Sequence, residues 1–189
     1  MKKISLLAMV LLMGFTSCKK VKKDTETTDT EVIETEVVAP KTLTVELTPK
    51  SDSSVSGNVV FTEENGTVNM VATIKGLEPG EHAIHIHESS DCSSPDGKST
   101  GGHWNPTNQP HGKWDAETGY HKGDIGNLTA DENGDASISM STDEWCIGCG
   151  DETKDIIGKG IIVHAGVDDF KTQPTGDAGG RISCGGIIQ

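Results

Sequence analysis

The sequence predicts an all-β domain built from about eight short strands, arranged as a sandwich or a barrel. Apolar and polar residues alternate in several short segments, and Asn-Gly pairs, which favour tight hairpin turns, join two pairs of these segments. The chain contains 23 glycines and only 4% aromatic residues. Few of its segments have a helical period, so a largely helical fold is not expected.

The predicted strands follow one another along the chain. In the first, Leu43, Val45 and Leu47 alternate with polar residues, so their side chains share one face. Asn65-Gly66 joins the second strand to the third, and Asn133-Gly134 joins the fifth to the sixth. The eight segments are 43–47, 55–62, 68–74, 82–87, 125–129, 136–140, 160–164 and 181–188.

The first 18 residues have the features of a targeting segment. Lys2 and Lys3 precede an apolar run at 4–15, which is too short for a permanent membrane-spanning helix. Thr16-Ser17-Cys18 follows, so the segment resembles a bacterial lipoprotein signal in which Cys18 carries the lipid. The alternative is an ordinary secretory signal with an incidental Cys18. Either signal leads to a compartment where disulfides persist.

The remaining chain divides into two parts. Residues 19–40 are rich in Lys, Thr, Glu and Asp, a composition that predicts a flexible tether. Residues 41–189 are long enough for one domain with its own core. The formal net charge of −13 argues against nucleic acid as a partner. We therefore expect a membrane-anchored lipoprotein of the bacterial cell envelope, facing either the periplasm or the outer surface.

The stretch 145–150, WCIGCG, contains a Cys-x-x-Cys pair, which is typical of thioredoxin-like redox sites. Such a site requires strands that alternate with helices, and the predicted strands do not. The sequence context therefore disfavours a thiol–disulfide oxidoreductase.

The histidines point to metal chemistry, because all seven lie between positions 82 and 164. His85 and His87 are two residues apart in a predicted strand, so both face one side and could bind one metal ion. His164 ends an apolar strand, where a buried structural histidine is the alternative. The long loop 88–124 adds four donors that suit tetrahedral zinc, namely His103, His111, His121 and Asp124.

Five stretches of the sequence occur in a characteristic order: HAIHIHESSDC, GGHWNP, HKGDIGNL, IIVHAGVDD and GDAGGRISCG. Together they resemble the copper/zinc superoxide dismutase family, over nearly all of residues 41–189. The resemblance implies an eight-stranded Greek-key β-sandwich or barrel, immunoglobulin-like, with long metal-binding and active-site loops. It also implies conversion of superoxide to O₂ and hydrogen peroxide by alternating reduction and oxidation of a copper ion. The alternative is a non-catalytic copper/zinc-binding envelope protein on the same fold. Either protein could be a monomer or a homodimer.

The resemblance also implies a role for each matching residue. His103 would ligate both metals and take part in proton transfer. The copper ligands would be His85, His87, His103 and His164, and the zinc ligands would be His103, His111, His121 and Asp124.

Four further residues have expected roles outside the ligand set. Asp168 would bridge a copper histidine and a zinc histidine, and Arg181 would lie beside the open copper position. Because the domain is acidic and the substrate is an anion, attraction must be local. Lys171 is a candidate steering charge, with a solvated surface lysine as the alternative. His82 matches no ligand position and is expected to be structural, hydrogen-bonded near the disulfide loop.

The resemblance further implies a disulfide between Cys92 and Cys184, but nothing in the family pattern accounts for Cys146 and Cys149. With Cys18 lipidated, these two are the last of five cysteines. The simplest hypothesis is a small local disulfide between them.

Overall fold

The structure, a computed structural model, describes residues 39–189. The expected signal segment, Cys18 and all but the end of the expected tether lie outside the described residues. Within 39–189, no helix is both long and apolar enough to cross a membrane.

Eight antiparallel strands form a closed Greek-key barrel, which confirms the predicted all-β fold. A short 3₁₀ helix at Lys98–Thr100 lies in the loop after the fourth strand. The strands are β1 (Lys41–Pro49), β2 (Ser56–Glu64), β3 (Thr67–Lys75), β4 (Gly80–His87), β5 (Gly126–Ala130), β6 (Ala136–Thr142), β7 (Gly160–His164) and β8 (Arg181–Gly186).

The order around the barrel is β1-β2-β3-β6-β5-β4-β7-β8. Two four-stranded sheets, β1-β2-β3-β6 and β5-β4-β7-β8, are joined by few residue pairs. Ala130 pairs with Ala136 at one junction, and Thr48 pairs with Cys184 and Pro49 with Ser183 at the other. The barrel is therefore a sandwich closed at its two edges, which explains why the sequence was compatible with both descriptions.

The β2–β3 hairpin follows from its turn residues. Asn65 and Gly66 have φ angles of 52° and 78°, the left-handed values that a two-residue type I′ turn requires. Residue pairs then run in unbroken register from Glu64–Thr67 to Ser56–Lys75. The predicted hairpin is correct.

Alternation along the strands places the core inside the barrel. One face of β3 is completely buried and comprises Val68, Met70, Ala72 and Ile74. Trp145, from the connection between β6 and β7, is also buried and packs edge-on against Phe61, with ring centroids 6.2 Å apart. Burial of one such large side chain contributes about 1.5–3 kcal/mol.

Most strand boundaries differ from the prediction by one or two residues, and two of the differences follow directly from hydrogen bonding. β4 begins at Gly80 rather than residue 82, because Gly80 and Glu81 already pair with Ala130 and Thr129. β8 ends at Gly186, and Ile187 instead exchanges backbone hydrogen bonds with the turn residues 158 and 159.

Candidate metal centre

Strand β4 provides the base of the site. Ile84 and Ile86 point into the core, whereas His85 and His87 point to the outer face. An outer face normally contacts solvent, but both histidines have no exposed surface because loops 88–124 and 165–180 cover them.

Backbone hydrogen bonds hold the first loop against β4. The N–H of Trp104 donates to the carbonyl of Ile86 (2.8 Å), and the N–H of Glu88 donates to that of Gly102 (3.0 Å). His87 and His103 form an antiparallel bridge pair between them. The loop thereby brings an imidazole from far along the sequence beside the two strand histidines.

One cluster consists of four buried histidines whose ligand atoms lie within 4.8 Å of one another: His85, His87, His103 and His164. Three of these rings donate a hydrogen bond outward from the cluster. His85 Nε2 donates to Asp168 (2.9 Å), His87 Nδ1 to the carbonyl of Gly101 (3.0 Å), and His164 Nδ1 to that of Gly179 (3.3 Å). These bonds fix the tautomers, so that the other nitrogen of each ring presents a lone pair to the cluster.

A second cluster shares His103 and comprises His103, His111, His121 and Asp124. The Nδ1 atoms of the three imidazoles lie 2.8, 3.0 and 3.2 Å from the Asp124 carboxylate oxygens. The backbone N–H groups of Gly112 and His121 also donate to that carboxylate, which fixes its orientation.

Asp168 connects the two clusters from outside. Its carboxylate accepts hydrogen bonds from His85 Nε2 and His111 Nε2, both at 2.9 Å. Asn127 on β5 holds the backbone of Asp168 through two further bonds, of 2.8 and 2.9 Å. Gly176 packs so closely that a side chain there would collide with Asp168 and His111.

The electrostatics of the two clusters differ. Burial lowers the pKa values of His87 and His164 well below the usual value of 6.5, and the neighbouring imidazoles and Arg181 lower them further. Burial likewise lowers the pKa of His103 to about 4. Burial also favours a lower pKa for His111. The contacts of this ring with Asp124 and Asp168 outweigh the effect of burial and raise the pKa to about 9.

Both carboxylates remain ionised at neutral pH. Burial opposes ionisation, but hydrogen bonds from the surrounding histidines hold the pKa values of Asp124 and Asp168 well below the ordinary range. The second cluster therefore contains a charged carboxylate, whereas the first consists of imidazoles alone.

This donor set fits a pair of metal ions. Among the described residues, buried ring nitrogens that make no hydrogen bond of normal geometry occur at four positions, all in the two clusters: His85, His103, His111 and His121, the last two lying 3.0 and 3.2 Å from Asp124. Buried polar atoms are almost always paired in folded proteins, so these lone pairs require a ligand. Neutral imidazoles suit copper, and three imidazoles with a carboxylate suit tetrahedral zinc.

A cavity of about 320 Å³ leads from solvent to His164 and Arg181. The Arg181 guanidinium donates to the carbonyl of Gly97 (3.0 Å) and to Thr100 Oγ1 (2.9 Å), which fixes its position. Lys98, paired with Asp96 at 3.1 Å, also lines the cavity. Lys171, the candidate steering charge, is not among the residues that line this cavity.

Two disulfides are present in the described residues. Cys92–Cys184 ties the long loop to β8 with a sequence separation of 92. Cys146–Cys149 closes a local loop with a separation of 3.

His82 is buried and structural, but its surroundings differ from the prediction. Its Nδ1 contacts the carbonyl of His164 (3.0 Å) and its Nε2 that of Glu78 (2.8 Å). Neither partner belongs to the disulfide loop. Because β4 pairs with β7, His82 lies beside the end of β7 instead.

Sequence reasoning missed the residues that act on the site from a distance: Asp96, Lys98, Thr100, Asn127 and Gly176. The spacing of residues along the sequence does not identify them, because the position of each relative to the site depends on how a loop folds against a strand. The positive φ of Gly176, 67°, is the one local property that distinguishes it, and it is compatible with many turns.

Two adjacent candidate metal sites that share one imidazole, on the outer face of an antiparallel Greek-key barrel, are typical of a class of β-barrel proteins with paired metal ions. Residues 55–187 match the family described as copper/zinc superoxide dismutase (SODC). The chain belongs to this family.

Solved structures agree with this assignment. Two are mutants of a SOD-like protein from Bacillus subtilis, at 31% and 30% identity, each covering 77% of this chain and 97% of the other, with a TM-score of 0.69. A third, the clock protein EA4, is 34% identical, covers 80% of this chain and 97% of its own, and has a TM-score of 0.68.

Proposed function

We propose that this protein is a superoxide dismutase, which converts superoxide to O₂ and hydrogen peroxide with one copper and one zinc ion. The observation that carries the proposal is the arrangement around His103, whose Nδ1 faces the Asp124 cluster while its Nε2 faces the other three histidines. A shared imidazole couples two different metal sites, which simple metal storage does not require.

The two clusters divide the metals by donor chemistry. His85, His87, His103 and His164 would hold copper, and the cluster with Asp124 would hold zinc. Copper supplies the one-electron oxidation and reduction that dismutation requires, and zinc has no redox chemistry of its own.

Arg181 binds and orients the anionic substrate in this proposal. Its guanidinium stays protonated at neutral pH although burial lowers its pKa, and its bonds to Gly97 and Thr100 keep it beside His164 in the cavity. A fixed cation at the end of a narrow cavity attracts a small anion even where the surrounding surface is acidic.

His103 is the proposed carrier of a proton. Its Nε2 lies in a buried site and faces the histidine cluster, while its Nδ1 stays beside Asp124. Burial lowers the pKa of this ring to about 4. With Nδ1 committed to the Asp124 cluster, Nε2 is the ring nitrogen that would take up a proton and pass it to a reduced oxygen species, which needs protons to become peroxide.

Metal analysis and superoxide decay, measured on the same copper- and zinc-loaded sample, test the proposal. We expect one copper and one zinc per chain together with rapid loss of superoxide. A fully loaded protein without turnover would instead establish the alternative, a non-catalytic copper/zinc-binding protein on this fold.

The Arg181→Ile variant isolates the substrate-binding role. Because the side chain does not ligate metal, we expect unchanged copper content and a kcat/KM lowered by about 10-fold, with a weaker dependence on ionic strength. Arg181→Lys, which keeps the charge, is the matched control and should lose less activity. Equal kinetics in wild type and Arg181→Ile would refute the assignment.

We also propose that a lipid on Cys18 anchors the enzyme to the membrane of a bacterial cell envelope, on either the periplasmic or the outer side. The support is the lipoprotein-like signal in the sequence. Labelling of cells with a radioactive fatty acid tests it. The wild-type chain should take up label and sediment with membranes, and Cys18→Ser should do neither.

A further inference from the structure

The Cys146–Cys149 loop is the chemically notable feature that the proposed function does not use. The connection between β6 and β7 carries it, and Trp145 immediately before it is anchored in the core. Cys146 is 6% exposed, whereas Cys149 is exposed to solvent. One sulfur is therefore fixed by packing, and the other is open to reagents.

The loop keeps its shape through contacts that do not involve the sulfur atoms. The N–H of Cys146 donates to the carbonyl of Lys154 (2.9 Å), and the carbonyl of Cys146 accepts from Ile156 (3.1 Å). The N–H of Ile147 donates to Glu63 (2.9 Å), and its carbonyl accepts from Lys41 Nζ (2.7 Å). Opening the disulfide therefore leaves the backbone of the loop in place.

Asp155 organises the open side of the loop. Its carboxylate accepts hydrogen bonds from the N–H groups of Gly148 (2.9 Å), Gly150 (2.8 Å) and Ile157 (3.1 Å). Burial acts against ionisation, but these bonds and the charge of Lys41 lower the pKa of Asp155. The carboxylate is charged at neutral pH and is held in one orientation.

These groups form a compact donor set. One Sγ from each cysteine and one carboxylate oxygen of Asp155 lie within 4.8 Å of one another. Cys-x-x-Cys is the spacing by which one turn supplies two thiolates to a zinc ion. Solvent reaches the site from one side, since Gly150 and Asp155 line a groove of about 670 Å³.

We propose that Cys146, Cys149 and Asp155 form an additional zinc site, which is created when a dithiol reduces the Cys146–Cys149 disulfide. The site lies outside the two histidine clusters, and the proposal does not depend on the dismutase activity. Two sulfurs and one oxygen leave the fourth tetrahedral position to water. The carboxylate favours zinc over copper(I), for which two thiolates suffice.

The redox step balances with the dithiol as the two-electron reductant. A thiolate of the dithiol attacks the exposed Cys149 sulfur, the Cys146–Cys149 bond breaks, and Cys146 leaves with the electron pair and takes up a proton. The second thiol of the reductant closes its own disulfide and releases Cys149 as a thiol. Zinc then displaces the two thiol protons.

Cobalt(II) is the probe, because thiolate–cobalt bonds give an intense near-ultraviolet charge-transfer band that histidine and carboxylate ligands do not give. The copper- and zinc-loaded full chain is treated with dithiothreitol without denaturant, the reductant is removed by gel filtration under nitrogen before cobalt is added, and a mass map of alkylated peptides verifies thiols at Cys146 and Cys149. We expect the band to appear only after reduction, to saturate at one equivalent, and to disappear when one equivalent of zinc is added.

Three variants provide the controls. Cys146→Ser with Cys149→Ser should give no band, and Asp155→Asn should bind cobalt at least about 10-fold more weakly. Asp151→Asn changes a carboxylate of the same loop that caps its own turn through Thr153, and it should bind like wild type. The proposal is overturned if reduction needs denaturant, if both thiols form without a band, or if Asp155→Asn retains wild-type affinity.

Discussion

At the scale of single residues, the site depends on which nitrogen of each imidazole is already occupied. His85, His87 and His164 each use one nitrogen for a fixed outward hydrogen bond, to a carboxylate or to a backbone carbonyl. The remaining nitrogen has only one direction available. The protein thereby orients the ligand nitrogens in advance. All three rings are buried, so these hydrogen bonds also replace the contacts with water that the ring nitrogens would otherwise make.

Gly176 tests how much of this arrangement depends on Asp168. A methyl group at residue 176 would overlap the Asp168 carboxylate and His111 Nε2, and the backbone there has a left-handed φ of 67°. We expect Gly176→Ala to weaken binding of both metals by about 10- to 100-fold, because Asp168 orients a histidine of each cluster. Competition titrations with chelators measure the affinity for each metal. Gly180→Ala, where a methyl group meets no atom within 4 Å, is the control; loss of only one metal affinity would contradict the bridging role.

The protonation of His111 gives a second prediction at this scale. In the metal-free protein its pKa of about 9 keeps it charged at pH 7, whereas His87 and His164 are neutral because their pKa values lie below 6.5. A ligating imidazole must be neutral, so zinc should release about one proton from His111 at pH 7. Copper should release none from His87 or His164.

Calorimetry in buffers with different heats of protonation counts these protons. The zinc-linked release should fall as the pH rises through 9, where His111 loses its proton without metal. Equal proton counts for the two metals at pH 7 would show that Asp124 and Asp168 do not control His111.

At the scale of elements, β4 links the core to the site. Its two faces are both buried, one against the barrel interior and one under the loops. A strand buried on both faces cannot shift register by one residue without exchanging isoleucines for histidines, so the fold fixes the ligand positions.

The two disulfides should differ in their effect on stability. Cys92–Cys184 closes a loop with a separation of 92, which corresponds to about 4–5 kcal/mol on the chain-entropy model. Cys146–Cys149 has a separation of 3 and corresponds to about 2 kcal/mol on the same model. Denaturant unfolding of the two Cys→Ser double variants compares them directly. Similar losses in both would show that loop length does not determine the effect here.

Much of this architecture could be predicted from local patterns. Alternation in β3 and the Asn65-Gly66 turn specify strands and a hairpin without reference to the rest of the chain. The pairing of β4 with β7 and the position of Lys98 could not be predicted this way. Both depend on contacts between distant segments, and loop 88–124 has no period from which a side-chain direction follows.

At the scale of the whole molecule, the net charge of the protein has the same sign as that of the proposed substrate. Residues 1–38 contain six basic and six acidic residues, so 39–189 retain 10 basic and 23 acidic ones, a formal charge of −13. An anionic substrate is repelled by such a surface at long range. The charges that line the cavity must therefore determine how often an encounter succeeds.

Substitution of Asp96 or Lys98 measures how much the individual charges that line the cavity contribute to the association rate. Backbone and side-chain hydrogen bonds from Lys98 lower the pKa of Asp96 to about 2, so this carboxyl group is charged at neutral pH. At low ionic strength, Asp96→Asn should raise kcat/KM and Lys98→Gln should lower it, each by roughly two- to threefold. Lys75→Gln, at the end of β3 and away from the cavity lining, is the matched control.

A series of salt concentrations distinguishes an electrostatic effect of Asp96 and Lys98 on the rate from a structural effect. Screening shortens the range of each charge to about 3 Å at 1 M ionic strength, so the variants should converge on the wild-type rate as salt increases. A difference that persists at high salt would mean that Asp96 and Lys98 act by shaping the loop around Arg181. Stopped-flow measurement of superoxide decay across a salt series therefore assigns the effect either to the field of the whole molecule or to local packing.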